Sequence, residues 1–208
     1  MEYLPLIGTV LLIHLLAVAS PGPDFIVAVK NSLTYSRKTG LYTAIGFGLG
    51  IGAHTIYCMA GIALIISKSI LLFNGIKFVG AGYLIYIGYK SLRARSLPIS
   101  MEKSVQQSDI SAFAAIRIGF LTNVLNPKAT LFFLSLFTLV ISPDIPVSVV
   151  GTISLLMVID TMVWFSLVAV FFTNPLVQAK FDSYQSAFNK VFGSLLILLG
   201  LKIAFSSR

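Results

Sequence analysis

Two charged residues stand where charge is least expected. Asp24 follows Pro23 inside an apolar run from Leu4 to Val29, and Lys128 follows Pro127 inside another, Phe113–Val140. Each proline removes a backbone donor and breaks the i→i−4 ladder, and Gly22 lets the first break turn freely. Broken helices persist at membrane depth only where protein or a wet cavity satisfies the freed backbone groups, so a charge there marks a functional site. The half-helix after each break starts with unsatisfied N–H groups and a partial positive charge. Asn126 is placed to cap the second start, with Pro127 at its first helical position. A carboxylate is welcome there; a lysine opposes the dipole and calls for another reason. Two uses fit the pair. Asp24 meets an ammonium and Lys128 a carboxylate, as a zwitterion requires, or the two form a structural bridge that a substrate can displace.

Other titratable groups are fewer. Asp160 lies 13 residues into the run Val147–Phe172, where an acid costs about 2.5–3.5 kcal/mol on insertion scales. It suits a proton carrier, or a structural acid partnered by Thr161 or a lysine. Lys77, beside Gly80 and Gly82, is placed to pair with Asp160 or to snorkel outward, and snorkelling is favoured. His14 and His54 are both mid-helix, which allows a titrating relay but more often means a hydrogen-bonded packing histidine. Asp24, Asp160 and His14 are thus the proton-coupling candidates. No Cys/His or carboxylate cluster has metal spacing, and no cofactor is expected. Gly46–Gly52 lacks the strand-to-helix context and the Lys-Ser/Thr ending of a phosphate loop. Trp164 and the aromatics at 132, 133, 165, 171 and 172 read as packing and lipid contact.

The elements that position these residues follow from composition. The chain has 208 residues, 57% hydrophobic and 11% charged, with a mean hydropathy of +0.93. A soluble surface needs about a quarter charged residues, so this is an integral membrane protein. The net charge of +8 is spread over connections rather than one soluble face, which excludes nucleic acid as a partner and leaves membrane lipid. The single Cys58 permits no intrachain disulfide. Leu11–Leu16 followed by Ala17-Val18-Ala19 resembles a signal-peptide core, but Met1–Tyr3 carries Glu2 and no basic residue, so it is expected to stay as a helix.

Spanning needs about 17–25 apolar residues, and six stretches qualify: 4–29, 41–66, 70–89, 113–140, 147–172 and 188–205. The expected fold is therefore all-α, with six transmembrane helices. Small residues on the second and third (Gly46, Gly48, Gly50, Gly52; Gly75, Gly80, Gly82, Gly88) allow close helix packing. A first three-helix repeat, 1–90, and a second, 113–208, are joined by a polar connection at 91–112. Three being odd, the halves cross in opposite senses, and each begins with a broken helix. Pro23 and Pro127 lie 104 residues apart in the chain of 208. Paired interrupted segments are a pointer to a transporter binding site.

Ten basic residues (Lys30, Arg37, Lys38, Lys90, Arg93, Arg95, Lys103, Arg117, Lys180, Lys190) fall on or beside alternate connections. Those connections are expected to be cytoplasmic, with both termini outside. The intervening ones hold only Lys68, or no basic residue around Asp144.

Ser20-Pro21-Gly22-Pro23-Asp24-Phe25, Thr122-Asn123 and Asn126-Pro127-Lys128-Ala129 resemble the LysE/RhtB family of amino acid exporters over the full length. Lys77 with Gly80, and Tyr83-Leu84 with Gly88, agree with it. His14, Asp160–Phe165 and the short ending Ile203–Arg208 fit its threonine-exporting branch. The resemblance implies a transporter rather than an enzyme. It implies export of a small neutral amino acid, threonine or homoserine, across a bacterial inner membrane, driven by the proton gradient. It also implies that Pro23, Asp24, Asn126, Pro127 and Lys128 line or shape the route. A passive channel, or an exporter of basic amino acids, would share the helices; a channel needs no proton-coupled acid. The oligomeric state is left open, a homodimer included.

Overall fold

The computed structural model describes residues 2–68, 70–94, 107–140 and 145–205. Most of the connection 91–112, with Arg95 and Lys103, lies outside the described residues, as do Asp144 and Arg208. Eight α-helices follow one another: α1 (Leu4–Ala19), α2 (Pro23–Thr34), α3 (Arg37–Lys68), α4 (Ile70–Leu92), α5 (Ala112–Val124), α6 (Pro127–Val140), α7 (Val147–Phe171) and α8 (Pro175–Phe205). The apolar runs 41–66, 70–89 and 147–172 fall on α3, α4 and α7.

Segments Arg37–Gly61, Val147–Phe171 and Ser183–Phe205 are each long and apolar enough to cross a membrane. Helices α1 and α2 pass that test together as a broken span, bent by 58°. The protein is accordingly a multi-pass membrane protein. The sequence expectation of two interrupted runs also holds: α1 gives way to α2 at Ser20–Gly22, and α5 to α6 at Leu125–Asn126.

The breaks are local chemistry. Pro23 and Pro127 each occupy the first position of the downstream helix, where the missing N–H costs nothing. Gly22 is extended, at φ −169° and ψ −173°, a conformation any residue adopts, so the freedom of glycine is not what the break uses. Ser111 caps α5 by accepting a hydrogen bond from the Ala114 N–H at 3.2 Å.

Packing is organised by α3, which lies against α5 and α7, and by the α4–α8 pair. Close approach requires glycine at the α3–α5 crossing: a Cβ at Gly46 would collide with the Ile116 carbonyl, and one at Gly119 with the Thr43 carbonyl. Gly88 and Gly193 do the same for α4 and α8, each facing the other's carbonyl. One apolar cluster fills the space among α1, α3, α4, α6, α7 and α8, with Phe133, Phe137, Met157 and Leu196 fully buried. A second holds α2 against α3 and α7 through Phe25, Phe47 and Phe165.

Candidate functional site

The two breaks meet. The last turn of α1 leaves carbonyls without intrahelical partners. Lys128 reaches across from α6 and donates from Nζ to the Ala17 and Ser20 carbonyls, both at 3.3 Å. Its ammonium also lies 5.3 Å from the centre of the Phe192 ring, within reach of a cation–π attraction. At the second break Asn126 caps α6, its Oδ1 accepting from the Lys128 N–H at 3.0 Å. The same side chain donates from Nδ2 to Asp24 Oδ1 at 3.2 Å, and Asn123 Nδ2 donates to Asp24 Oδ2 at 2.7 Å. Both oxygens of the buried Asp24 carboxylate are thus held by amides of the other break. Asp24 also sits in the first turn of α2, where the helix dipole favours an anion.

Asp24 and Lys128 do not form the direct bridge that their types permit. Each is bonded to the opposite break instead, the acid to two asparagines and the lysine to two carbonyls. An anion and a cation held side by side, each by groups a ligand can replace, suit the two ends of a zwitterion.

Space adjoins them on both sides. A narrow cavity of ≈ 40 Å³ is lined by His14, Asp24, Asn123 and Asn126, and walled by Phe132 and Phe133. That is room for about one water. A larger vestibule of ≈ 420 Å³ is lined by Pro21, Pro23, Tyr83, Tyr86, Lys90, Gln185 and Asn189. Ser20, Gly22, Asn126 and Lys128 line both spaces. They form the partition between vestibule and cavity.

On the far side of the cavity His14 is fully buried, its Nδ1 3.0 Å from Asp160 Oδ2. With the acid ionised, Nδ1 donates to it, because a carboxylate only accepts. The bond joins α1 to α7, and the imidazole packs edge-on with Phe133 and tilted against Phe132. Asp160 therefore has His14 as its partner, not Thr161 or Lys77. Lys77 is 6% exposed, with its ammonium 4.9 Å from the centre of the Phe78 ring. The expectation that it snorkels outward is corrected: the side chain is buried within the protein.

Sequence reasoning missed several contributors. Asn123 stands in the sequence only as part of a motif; it lies in the last turn of α5, three residues before Asn126, which lies in the break. His54 is buried with its ring stacked on Phe133 at 5.3 Å and 5°. Its Nε2 lies 3.1 Å from the Asn123 carbonyl, and its Nδ1 bonds the Tyr57 hydroxyl. Gly50 leaves the space that the Asn123 amide occupies: a Cβ there would stand 2.5 Å from Oδ1. Phe132 and Phe133, read as packing, wall the cavity.

Among the described residues no group of three or more His, Cys, Asp or Glu is placed to hold a metal ion. Residues 15–207 match the model of the LysE type translocator family. Over 99% of this chain and 98% of its own length, an uncharacterized membrane protein YrhP of Bacillus subtilis (strain 168) is 29% identical. The threonine efflux protein of Escherichia coli (strain K12) is 28% identical over 95% of this chain and 97% of its own. That of Salmonella typhi is 28% identical over 98% and 99%. No solved structure matches. With the motif residues of both breaks inside the matched region, the chain belongs to the LysE type translocator family and is a transporter, not an enzyme.

Proposed function

We propose that this translocator exports a small neutral amino acid, threonine or a close relative, from the bacterial cytoplasm across the inner membrane in exchange for protons. The observation that carries this reading is the meeting of the two breaks, which sets Asp24 and Lys128 beside one partition. Asp24 takes the substrate ammonium. Lys128, released from the Ala17 and Ser20 carbonyls, takes the carboxylate, helped by the N-terminal dipoles of α2 and α6. Pro23 and Pro127 fix where those half-helices begin, and Asn126 holds both charges in register.

The chain crosses the membrane six times as two inverted three-helix repeats, residues 1–90 and 113–208, joined by the cytoplasmic connection 91–112. The correspondence α1/α5, α2/α6, α3/α7 and α4/α8 supports this. Under it the α3–α5 contact is the counterpart of α7–α1, and α3–α7 and α4–α8 pair like with like, as observed. The vestibule opens beside Lys90 and Ser91, at the basic end assigned to the cytoplasm. The substrate enters there and passes the partition towards the cavity.

Proton coupling uses Asp24 together with the His14–Asp160 pair. A passive channel would need neither. The preference for threonine over lysine rests on relatives named for threonine efflux, and on a partition that offers one acid to one ammonium.

Transport of radiolabelled threonine by purified protein in proteoliposomes tests the reading, with and without an imposed proton gradient. Gradient-driven accumulation, blocked by unlabelled threonine but not lysine, is the expected outcome. Movement that ignores the gradient supports the channel instead, and movement of lysine alone supports the basic-substrate exporter.

A further inference from the structure

We infer that His54 is a positioning residue of the transport site, holding through the Asn123 main chain the amide that grips the Asp24 carboxylate. The inference rests on the export reading for its consequence in transport, and on geometry alone for its consequence in structure. Like α1, α5 ends in carbonyls without intrahelical partners. The Asn123 carbonyl accepts the Asn126 N–H at 3.0 Å and the His54 ring nitrogen at 3.1 Å. A carbonyl only accepts, so Nε2 carries the hydrogen. In the neutral imidazole Nδ1 is then the acceptor, and the Tyr57 hydroxyl supplies its donor. Both ring nitrogens are bonded, and the ring face lies flat on Phe133.

A second observation points to the same residue from the same helix. Gly50 precedes His54 by four residues, so the two share one face of α3. Gly50 leaves the gap that receives the Asn123 side chain, while His54 supplies the donor that holds its backbone. One helical face thus both makes room for Asn123 and ties it down. The Asn123 amide donates to Asp24 at 2.7 Å, the shorter of the two bonds to that carboxylate. His54 does for the end of α5 what Lys128 does for the end of α1, but from a side chain no ligand reaches. One bond is fixed and the other is free to move with substrate.

The test uses full-length protein in proteoliposomes with radiolabelled threonine, and His54→Phe, His54→Gln, Asn123→Ala and the double variant His54→Phe/Asn123→Ala. His54→Phe keeps the stacking on Phe133 and removes the N–H, and should raise KM about tenfold, the order expected for one lost hydrogen bond to a buried carbonyl. His54→Gln keeps a donor and should restore most of the loss. Because His54 acts through Asn123, the double variant should match Asn123→Ala within about twofold, a failure of additivity expected of coupled neighbours. A wild-type KM for His54→Phe, or additive losses in the double variant, would overturn the inference.

Backbone hydrogen exchange at Leu125 and Asn126 is measured on the same samples. It should quicken in His54→Phe and not in His54→Gln; unchanged exchange in both also overturns the inference. If wild type does not carry threonine, the export reading fails and exchange alone decides the role of His54. Should His54→Phe not accumulate, Tyr57→Phe, which removes the donor at Nδ1, takes its place with the same outcomes in exchange.

Discussion

The two breaks share a plan and differ in how they are supported. Each places a proline at the first position of a half-helix and a charged residue at the second. The break at Leu125–Asn126 largely supports itself: the Asn126 N–H bonds Asn123, its side chain caps α6, and His54 holds the remaining valence of the Asn123 carbonyl. The break at Ser20–Gly22 has no side-chain cap at Gly22 and bends by 58°. Its α1 carbonyls are satisfied by Lys128, a residue of the other break. A substrate carboxylate that draws Lys128 away therefore loosens the first break and leaves the second intact. On the proposed transport reading, the first break moves and the second serves as its frame.

The largest effect belongs to the charges. Asp24→Asn should reduce threonine transport to background with normal amounts of protein in the membrane. A charge-assisted hydrogen bond is worth about 1.5–3 kcal/mol, or roughly 10- to 150-fold in binding. Lys128→Met should be as severe and should also lower expression, because it uncaps α1 as well as removing the carboxylate partner. Exchanging the two charges should restore nothing, since the helix dipoles stay fixed. A swapped protein with near-normal efflux would mean a structural bridge instead.

Next in size is the pair on the cavity's far side. His14→Phe leaves Asp160 without its α1 partner, and losing a hydrogen bond to a charged group costs about 1.5–3 kcal/mol. The expected outcome is less protein in the membrane. In Asp160→Asn, which keeps a partner for His14, exchange of threonine across the membrane should persist while gradient-driven accumulation falls. Intact accumulation in that variant would remove the pair from coupling.

Gly50→Ala comes third. Alanine favours a helix by up to about 1 kcal/mol over glycine, so α3 itself is not weakened. The added Cβ displaces the Asn123 amide from Asp24, and the prediction is a loss of transport without a matching loss of thermal stability. Gly22→Ala is the smallest. The backbone there is extended, and a Cβ would meet Lys128 Nζ at an ordinary 3.6 Å. Transport should stay within about twofold, the range of a neutral surface change. A severe defect would show that the first break passes through another backbone conformation during transport.

Much of this was legible because lipid imposes strict rules. Apolar runs outlined α3, α4 and α7, and a proline followed by a charge located both breaks. What local pattern does not encode is which polar group meets which across the bundle. His14 and Asp160 are 146 residues apart, and periodicity alone does not pair them. Asp24 and Lys128 line one cavity, yet the acid is bonded by the amides of Asn123 and Asn126 and the lysine by the carbonyls of Ala17 and Ser20. Lys77 looked exposed because a lone lysine on an apolar helix usually reaches for water, and packing between helices decided otherwise. Gly22 suggested a turn, and the structure uses an extended link there.

If both ends of one amino acid are held at the junction of the breaks, competition reads each end separately. Counterflow of radiolabelled threonine into proteoliposomes is challenged with threonine, with threoninol, which lacks the carboxylate, and with N-acetylthreonine, which lacks the ammonium. Each end contributes a charge-assisted contact, so either analogue should need at least about tenfold more than threonine to compete equally. Competition by N-acetylthreonine as strong as by threonine, together with normal counterflow in Asp24→Asn, would contradict the account.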